Sequence, residues 1–214
     1  AMAPNPQTQI VVNCAGRTRS IIGTQSLINA GLPNPVVALR NGTIGWTLAG
    51  LLLESGAQRR FTGIDADQLK VAQVQARAVA DRAGVGRLNR DTLQQWLQDS
   101  TRTTYVCDVR TPEEYVSGHL PGSLCTPGGQ LVQETDHTAG VRGARFVLID
   151  PLGVRADMSA SWLAQMGWQV AVLDGLTDAD LSVSGPEQRQ RPPVVADQIL
   201  VRQLKRDLIE QGTL

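Results

Sequence analysis

The chain has 214 residues, 42% of them apolar and 19% charged, and its 20 basic residues are balanced by 20 acidic ones. Such a composition excludes a chain that is disordered as its main state, and a net charge of zero argues against a nucleic-acid binder that works by neutralising phosphates. No apolar run approaches the ~20 residues that a bilayer-spanning helix needs; the longest candidate lies at residues 46–53.

The first residues, AMAPNPQTQ, hold no basic region followed by an apolar stretch, so no signal peptide is expected and a cytoplasmic location is. Three cysteines, Cys14, Cys107 and Cys125, form no paired spacing, and with His119 and His137 as the two histidines a disulfide scaffold or a zinc site is poorly supported. Neither a metal nor another cofactor is expected.

Taken in chain order, the elements repeat. IVVNC (10–14) reads as a strand, SIIGTQSLINAG (20–31) as a helix closed by glycine, and PVVALRNG (35–42) as a second strand. FVLID (146–150), ADMSASWLAQMG (156–167) and WQVAVLDG (168–175) follow the same plan. At an offset of 136, Cys14 falls on Asp150, Arg19 on Arg155, Leu27 on Leu163 and Gly31 on Gly167 without a gap. Strand, tight loop, helix, glycine stop and strand is a βαβ unit with parallel strands, and both glycines stand where a left-handed C-cap is expected. The repetition points to a duplication.

Between the copies, residues 64–83 are rich in helix formers, with Val71, Val74, Ala78 and Val79 on one face. A second helix is predicted over 91–100, capped by Asp91 and burying Leu93, Trp96 and Leu97. TTYVCDVR (103–110) reads as a strand, TPEEYVSG (111–118) as a short helix with Thr111 and Glu114 in a capping box, and HLPGSLCTP (119–127) as a turn and strand. After a polar, proline-interrupted stretch at 184–193, a helix over 196–211 carries Ile199, Leu200, Leu204 and Leu208 as a stripe. Asp108 precedes Asp150 by 42 residues, whereas 13 residues precede Cys14, so the first copy reads as the back half of a unit. The expected division is 1–58 for that half, 59–92 for a helical linker, 93–184 for a complete second unit and 185–214 for a tail that could start a further one.

The segment Cys14-Ala15-Gly16-Arg17-Thr18-Arg19-Ser20 joins a strand end to a helix start, the place where open parallel sheets bind ligands. Loop amides and the helix N-terminus there stabilise an anion and depress the pKa of a thiol. Arg17 and Arg19 add two positive charges suited to an oxyanion. Together they describe a nucleophilic thiolate, Cys14, that attacks an anionic substrate and holds a covalent intermediate, with Ala15 to Ser20 binding that substrate.

CAGRTRSIIGTQSLINAG followed by VVALRNGTIGW resembles the active-site half of a rhodanese (thiosulfate sulfurtransferase) domain, and CDVRTPEEYVSGHLPG resembles the front half of another. The arrangement is similar to bacterial proteins built from tandem rhodanese domains, of which this chain would be an internal piece. The resemblance implies an α/β fold with doubly wound parallel sheets, one partial and one complete copy. It also implies a ping-pong reaction in which Cys14 takes the outer sulfur of thiosulfate, releases sulfite and passes the persulfide sulfur to cyanide or a thiol. Cysteine-dependent phosphatases resemble the loop less well: they place five residues between cysteine and arginine, and four lie between Cys14 and Arg19.

In the second copy, Asp150-Pro151-Leu152-Gly153-Val154-Arg155 departs from the pattern at the decisive position. A carboxylate forms no persulfide, and Pro151 removes one amide donor. This copy is expected to be inactive and structural, with Asp150 paired to Arg155. Cys107 reads as a buried apolar side chain, Cys125 as partly exposed, and His119 as a structural hydrogen-bonding residue; Trp46 would either wall the site or pack in the core. The competing readings are a non-catalytic tandem module serving as scaffold or sulfur-relay partner, and a redox sensor built on the same thiol. Expected partners are a small anionic sulfur donor and a thiol or cyanide acceptor, without nucleic acid or membrane. Self-association could complete the partial copy.

Overall fold

A computed structural model of the chain describes residues 5–56, 63, 65–187 and 201–210. The first copy forms β1 (Ile10–Val12), α1 (Thr18–Asn29), β2 (Val36–Ala38) and α2 (Gly42–Leu48). β1 and β2 pair in parallel, Val11 opposite Val37, as the βαβ reading requires. α1 lies over one side of this two-stranded sheet, its Gly23 seated at Val12. Val11 and Val37 alternate to the other side and are 53% and 39% exposed.

The second copy contributes α3 (Ala66–Arg82), β3 (Gly86–Leu88), α4 (Arg90–Gln98), β4 (Thr104–Asp108), α5 (Pro112–Ser117), β5 (Leu124–Cys125), α6 (Gly128–Gln133), α7 (Thr135–Thr138), β6 (Arg145–Ile149), α8 (Val154–Gln165) and β7 (Gln169–Leu173). Its five strands run parallel in the order β3-β7-β6-β4-β5. This is the doubly wound α/β architecture expected. α9 (Val201–Glu210) follows later in the chain.

A parallel sheet covered on both faces must bury both faces of every central strand, and β6 is buried at all five positions. Successive residues alternate between two cores. Phe146 and Leu148 join Cys107, Val109, Val170 and Val172 beneath Ala80 of α3, Leu131 of α6 and Leu163 of α8. Val147 and Ile149 join Val106, Ala171 and Leu173 with Leu93 of α4. Each such large side chain, fully buried, stabilises the fold by roughly 1.5–3 kcal/mol.

Three contacts dock the first copy on the helical layer of the second. The Trp162 indole N–H donates to Ser26 Oγ at 2.8 Å, Arg19 donates to Gln130 Oε1 at 3.1 Å, and Arg82 donates to the Asn29 carbonyl at 3.1 Å.

Several local expectations are corrected. The cap of α4 is Asn89, not Asp91: the chain stays extended through Asn89 after β3, and the Asn89 carboxamide accepts from the Thr92 amide at 2.8 Å. The buried face of α3 is Ala76, Val79 and Ala80, whereas Val71 and Val74 are 57% and 70% exposed. Small side chains let α3 approach α8 closely, so its contact stripe is set by alanine rather than by the largest apolar residues. Leu97 is also exposed on α4. Within 59–92, read as a helical linker, α3 packs on α8 and β3 is an edge strand of the second sheet. Of the predicted 196–211 helix, residues 201–210 are helical, while Ile199 and Leu200 lie outside the described residues.

Candidate active site

β1 ends at Val12 and α1 begins at Thr18, so residues 13–17 form a loop at the carboxyl end of a parallel strand. The loop is held from behind. The Cys14 carbonyl accepts from the Thr43 amide at 3.0 Å, and the Ala15 carbonyl accepts from the Ile44 amide at 3.0 Å and from Thr43 Oγ1 at 3.3 Å. With its carbonyls turned toward α2, the loop aims amides at the thiol. Gly42 makes this approach possible: its φ is +57°, and a Cβ there would lie 2.2 Å from the Cys14 carbonyl oxygen. The sequence signal was the Asn-Gly pair that ends PVVALRNG, but the roles of Gly42 and Thr43 depend on a contact no local pattern displays.

Cys14 is half-buried. Its Sγ lies 3.5 Å from Ser20 Oγ, and Ser20, which is 1% exposed, donates its hydroxyl to the Arg17 carbonyl at 2.9 Å. When Cys14 ionises, that hydroxyl can turn to donate to the thiolate. The Ser20 hydroxyl is the main influence holding the thiol below its ordinary pKa of 9.0. The amides of Ser20 and Gly16 and the charge of Arg19 act in the same sense, against burial, which raises it.

The predicted site residues therefore divide. Cys14, Gly16, Arg19 and Ser20 converge on the thiol. Ala15 binds α2 through its carbonyl, and Arg17 supplies the carbonyl that orients Ser20. Thr18 opens α1 with its side chain exposed, as is that of Arg17. Trp46 sits on α2, 39% exposed, and donates its indole N–H to the Leu52 carbonyl at 2.9 Å, which makes it a fastener of the segment behind the loop.

In the second copy, the Asp150 carboxylate fills the equivalent cradle. It accepts from the Arg155 amide at 2.8 Å, the Leu152 amide at 3.3 Å and the Arg155 guanidinium at 3.3 Å. Arg155 also makes a two-pronged ion pair with Glu114, at 2.6 and 2.9 Å, which holds the Glu114 carboxyl at about 2 instead of 4.5. Glu114 in turn accepts from the Thr111 amide, completing the predicted capping box. Asp108 and Arg110 form a buried ion pair, and Arg110 donates to the Gly118 carbonyl at 2.6 Å, fixing the turn before His119. His119 stacks on Tyr115 with ring centres 3.7 Å apart and bonds the Tyr115 carbonyl through Nδ1 at 2.8 Å, a structural role. Cys107 is fully buried and Cys125 partly so.

A cavity of about 570 Å³ borders the second loop, lined by Arg77, Arg87, Asp150, Leu152, Asp157 and Asp174. It is lined by no cysteine, serine or threonine, and Asp157 and Asp174 are tied to Arg87 and Arg77. No group of three metal-ligating side chains occurs among the described residues, and none of their helices is long and apolar enough to cross a membrane.

The family described as "Rhodanese-like domain" matches residues 89–178, the copy that contains Asp150 rather than Cys14. Among solved structures, a thiosulfate sulfurtransferase from Pseudomonas aeruginosa is 64% identical with a TM-score of 0.85, over 98% of this chain and 40% of that one. The chain thus spans well under half the length of that relative. SseA from Escherichia coli, described among 3-mercaptopyruvate sulfotransferases, is 20% identical over 81% of this chain and 68% of its own, with a TM-score of 0.35. The BH2092 protein from Bacillus halodurans is 21% identical over 48% and 75%, with a TM-score of 0.37. No curated protein matches the chain.

Proposed function

We propose that this chain, whose residues 89–178 match the rhodanese-like domain family, is a sulfurtransferase of that family whose nucleophile is Cys14, taking the outer sulfur of thiosulfate or a related donor. The observation that carries the reading is the cradle around the thiol: the Ser20 hydroxyl, the amides of Gly16 and Ser20, and the nearby charge of Arg19 all favour the thiolate. The thiolate attacks the outer sulfur of thiosulfate. A sulfur–sulfur bond forms to Cys14, the bond inside thiosulfate breaks, and sulfite leaves with the electron pair. The persulfide carries its charge on the outer sulfur, where the same amides and hydroxyl stabilise it. Cyanide or a thiolate then attacks that sulfur, and Cys14 leaves as thiolate. No proton transfer is needed in the first half-reaction, which accords with a site that offers donors and charge rather than a general base.

The second copy supports the first without reacting itself. A carboxylate already occupies the space where its sulfur would be held.

Intact-mass measurement after incubation with thiosulfate tests the reading. The parent chain gains one sulfur, which a reductant removes, and Cys14→Ser gains none. A folded parent chain that gains no sulfur, while neutral reagents still alkylate Cys14, overturns it.

A further inference from the structure

We infer that Gln130, on α6 of the copy without a nucleophile, is a positioning residue for Cys14: it fixes Arg19 through a neutral oxygen and so leaves the guanidinium charge for the anionic sulfur donor. The inference deepens the sulfurtransferase reading and rests on it for the identity of the donor.

The two copies contain their own control. Arg19 and Arg155 are equivalent positions, each the second residue of its helix. Arg155 faces two carboxylates, Glu114 and Asp150, and its charge is consumed in the fold. Arg19 instead donates to the amide oxygen of Gln130 at 3.1 Å. An amide oxygen holds the fork in place without cancelling its charge.

Gln130 is itself oriented. Its Nε2 donates to the Glu134 carboxylate, so its amide nitrogen is engaged on the far side and its oxygen must face Arg19. The Glu134 oxygen that accepts from Gln130 also lies 3.3 Å from His137 Nδ1 of α7. The start of α6 is fixed as well, because a Cβ at Gly128 would lie 2.2 Å from Ser159 Oγ of α8. The position of Arg19 is thus referred to the second copy's helical layer rather than to its own short sheet.

Two variants test this. Gln130→Met keeps the length and packing of the side chain and removes both hydrogen bonds. Gln130→Glu keeps the accepting oxygen and adds a charge. For the full chain, the KM for thiosulfate should rise about threefold in Gln130→Met and about tenfold in Gln130→Glu, with kcat within twofold, as one screened charge at a surface site produces. A second readout is independent of sulfur transfer: the ratio of Cys14 alkylation rates by iodoacetate and by neutral iodoacetamide. It should fall severalfold in Gln130→Glu and in Arg19→Ala, with unchanged melting temperatures. If Arg19→Ala lowers the ratio and the Gln130 variants do not, Gln130 does not position Arg19 and the inference fails. It fails equally if Arg19→Ala leaves the ratio unchanged. If thiosulfate loads no sulfur on the parent chain, the proposed function fails, while the alkylation ratio still decides the role of Gln130.

Discussion

At the scale of single residues, the site is governed by which atoms face one sulfur. Ser20 is a hydroxyl in contact with Cys14 and the largest influence on its ionisation, so Ser20→Ala removes a donor to the thiolate and the bond to the Arg17 carbonyl, while the Cys14 and Ala15 carbonyls keep their contacts with α2. The pH at which Cys14 is half-alkylated by iodoacetamide should move up toward 9.0, and sulfur loading near neutral pH should slow, because less thiolate is present. A stopped-flow pH series checks this; an unchanged inflection would remove Ser20 from the site. The Cys14 loop was readable in the sequence because nucleophile, amides, hydroxyl and both arginines occupy seven consecutive residues. Gln130 was not, since it is 111 residues from Arg19 and a single neutral polar side chain carries no local signature. Asp150 was readable as a departure from the cysteine loop for a different reason: the first copy supplied the residue to compare it with.

Among the elements, the tie between α5 and α8 depends on the ionised Glu114 carboxylate. Held at about 2 by Arg155 against an ordinary 4.5, it contributes its full stabilisation above about 4.5 and loses it as the pH falls toward 2. Melting curves between pH 5 and pH 2.5 should show Glu114→Gln less stable than the parent at pH 5, with the difference shrinking as the pH falls. A constant difference would mean that the ion pair does not couple the two helices. β4, β6 and β7 and helices α1 and α8 were legible from apolar runs and periodicity, as were the two glycine stops, Gly31 and Gly167, with φ of +81° and +87°. The contact face of α3 was not. Hydrophobic stripes weight valine above alanine, whereas close helix packing selected Ala76 and Ala80. Asp91 was favoured as a cap on residue type alone. The end of β3 set the helix start two residues earlier, at a position where Asn89 can accept from Thr92.

Across the whole molecule, the two copies differ in how much of their sheets is covered. β6 lies between β4 and β7, but β1 has β2 as its strand partner among the described residues. Val11, Leu48 and Leu52 are 53%, 82% and 92% exposed. A parallel edge without a partner among the described residues, on a strand with exposed Val11, favours pairing with another chain. Light scattering across a concentration series should show self-association, weakened by Val11→Lys; a monomer at every concentration would refute this. The duplication itself was legible at this scale, since one offset aligned a strand, a loop and a helix. How the copies meet was not. Ser26 bonds Trp162, and the groove there is lined by Ile22 and Met158 and by Gly23 and Ser159, every pair separated by the same 136 residues. A two-fold axis would pair helices through equivalent positions, as in an isologous dimer, but α1 here packs on α6 as well as reaching α8. On such an axis a side chain faces its counterpart, and identical residues would offer Trp against Trp or Ser against Ser. The unlike members of these pairs, above all small Ser26 with large Trp162, break that identity. One covalent chain can therefore hold an asymmetric joint between copies that differ at equivalent positions, Cys14 in one and Asp150 in the other.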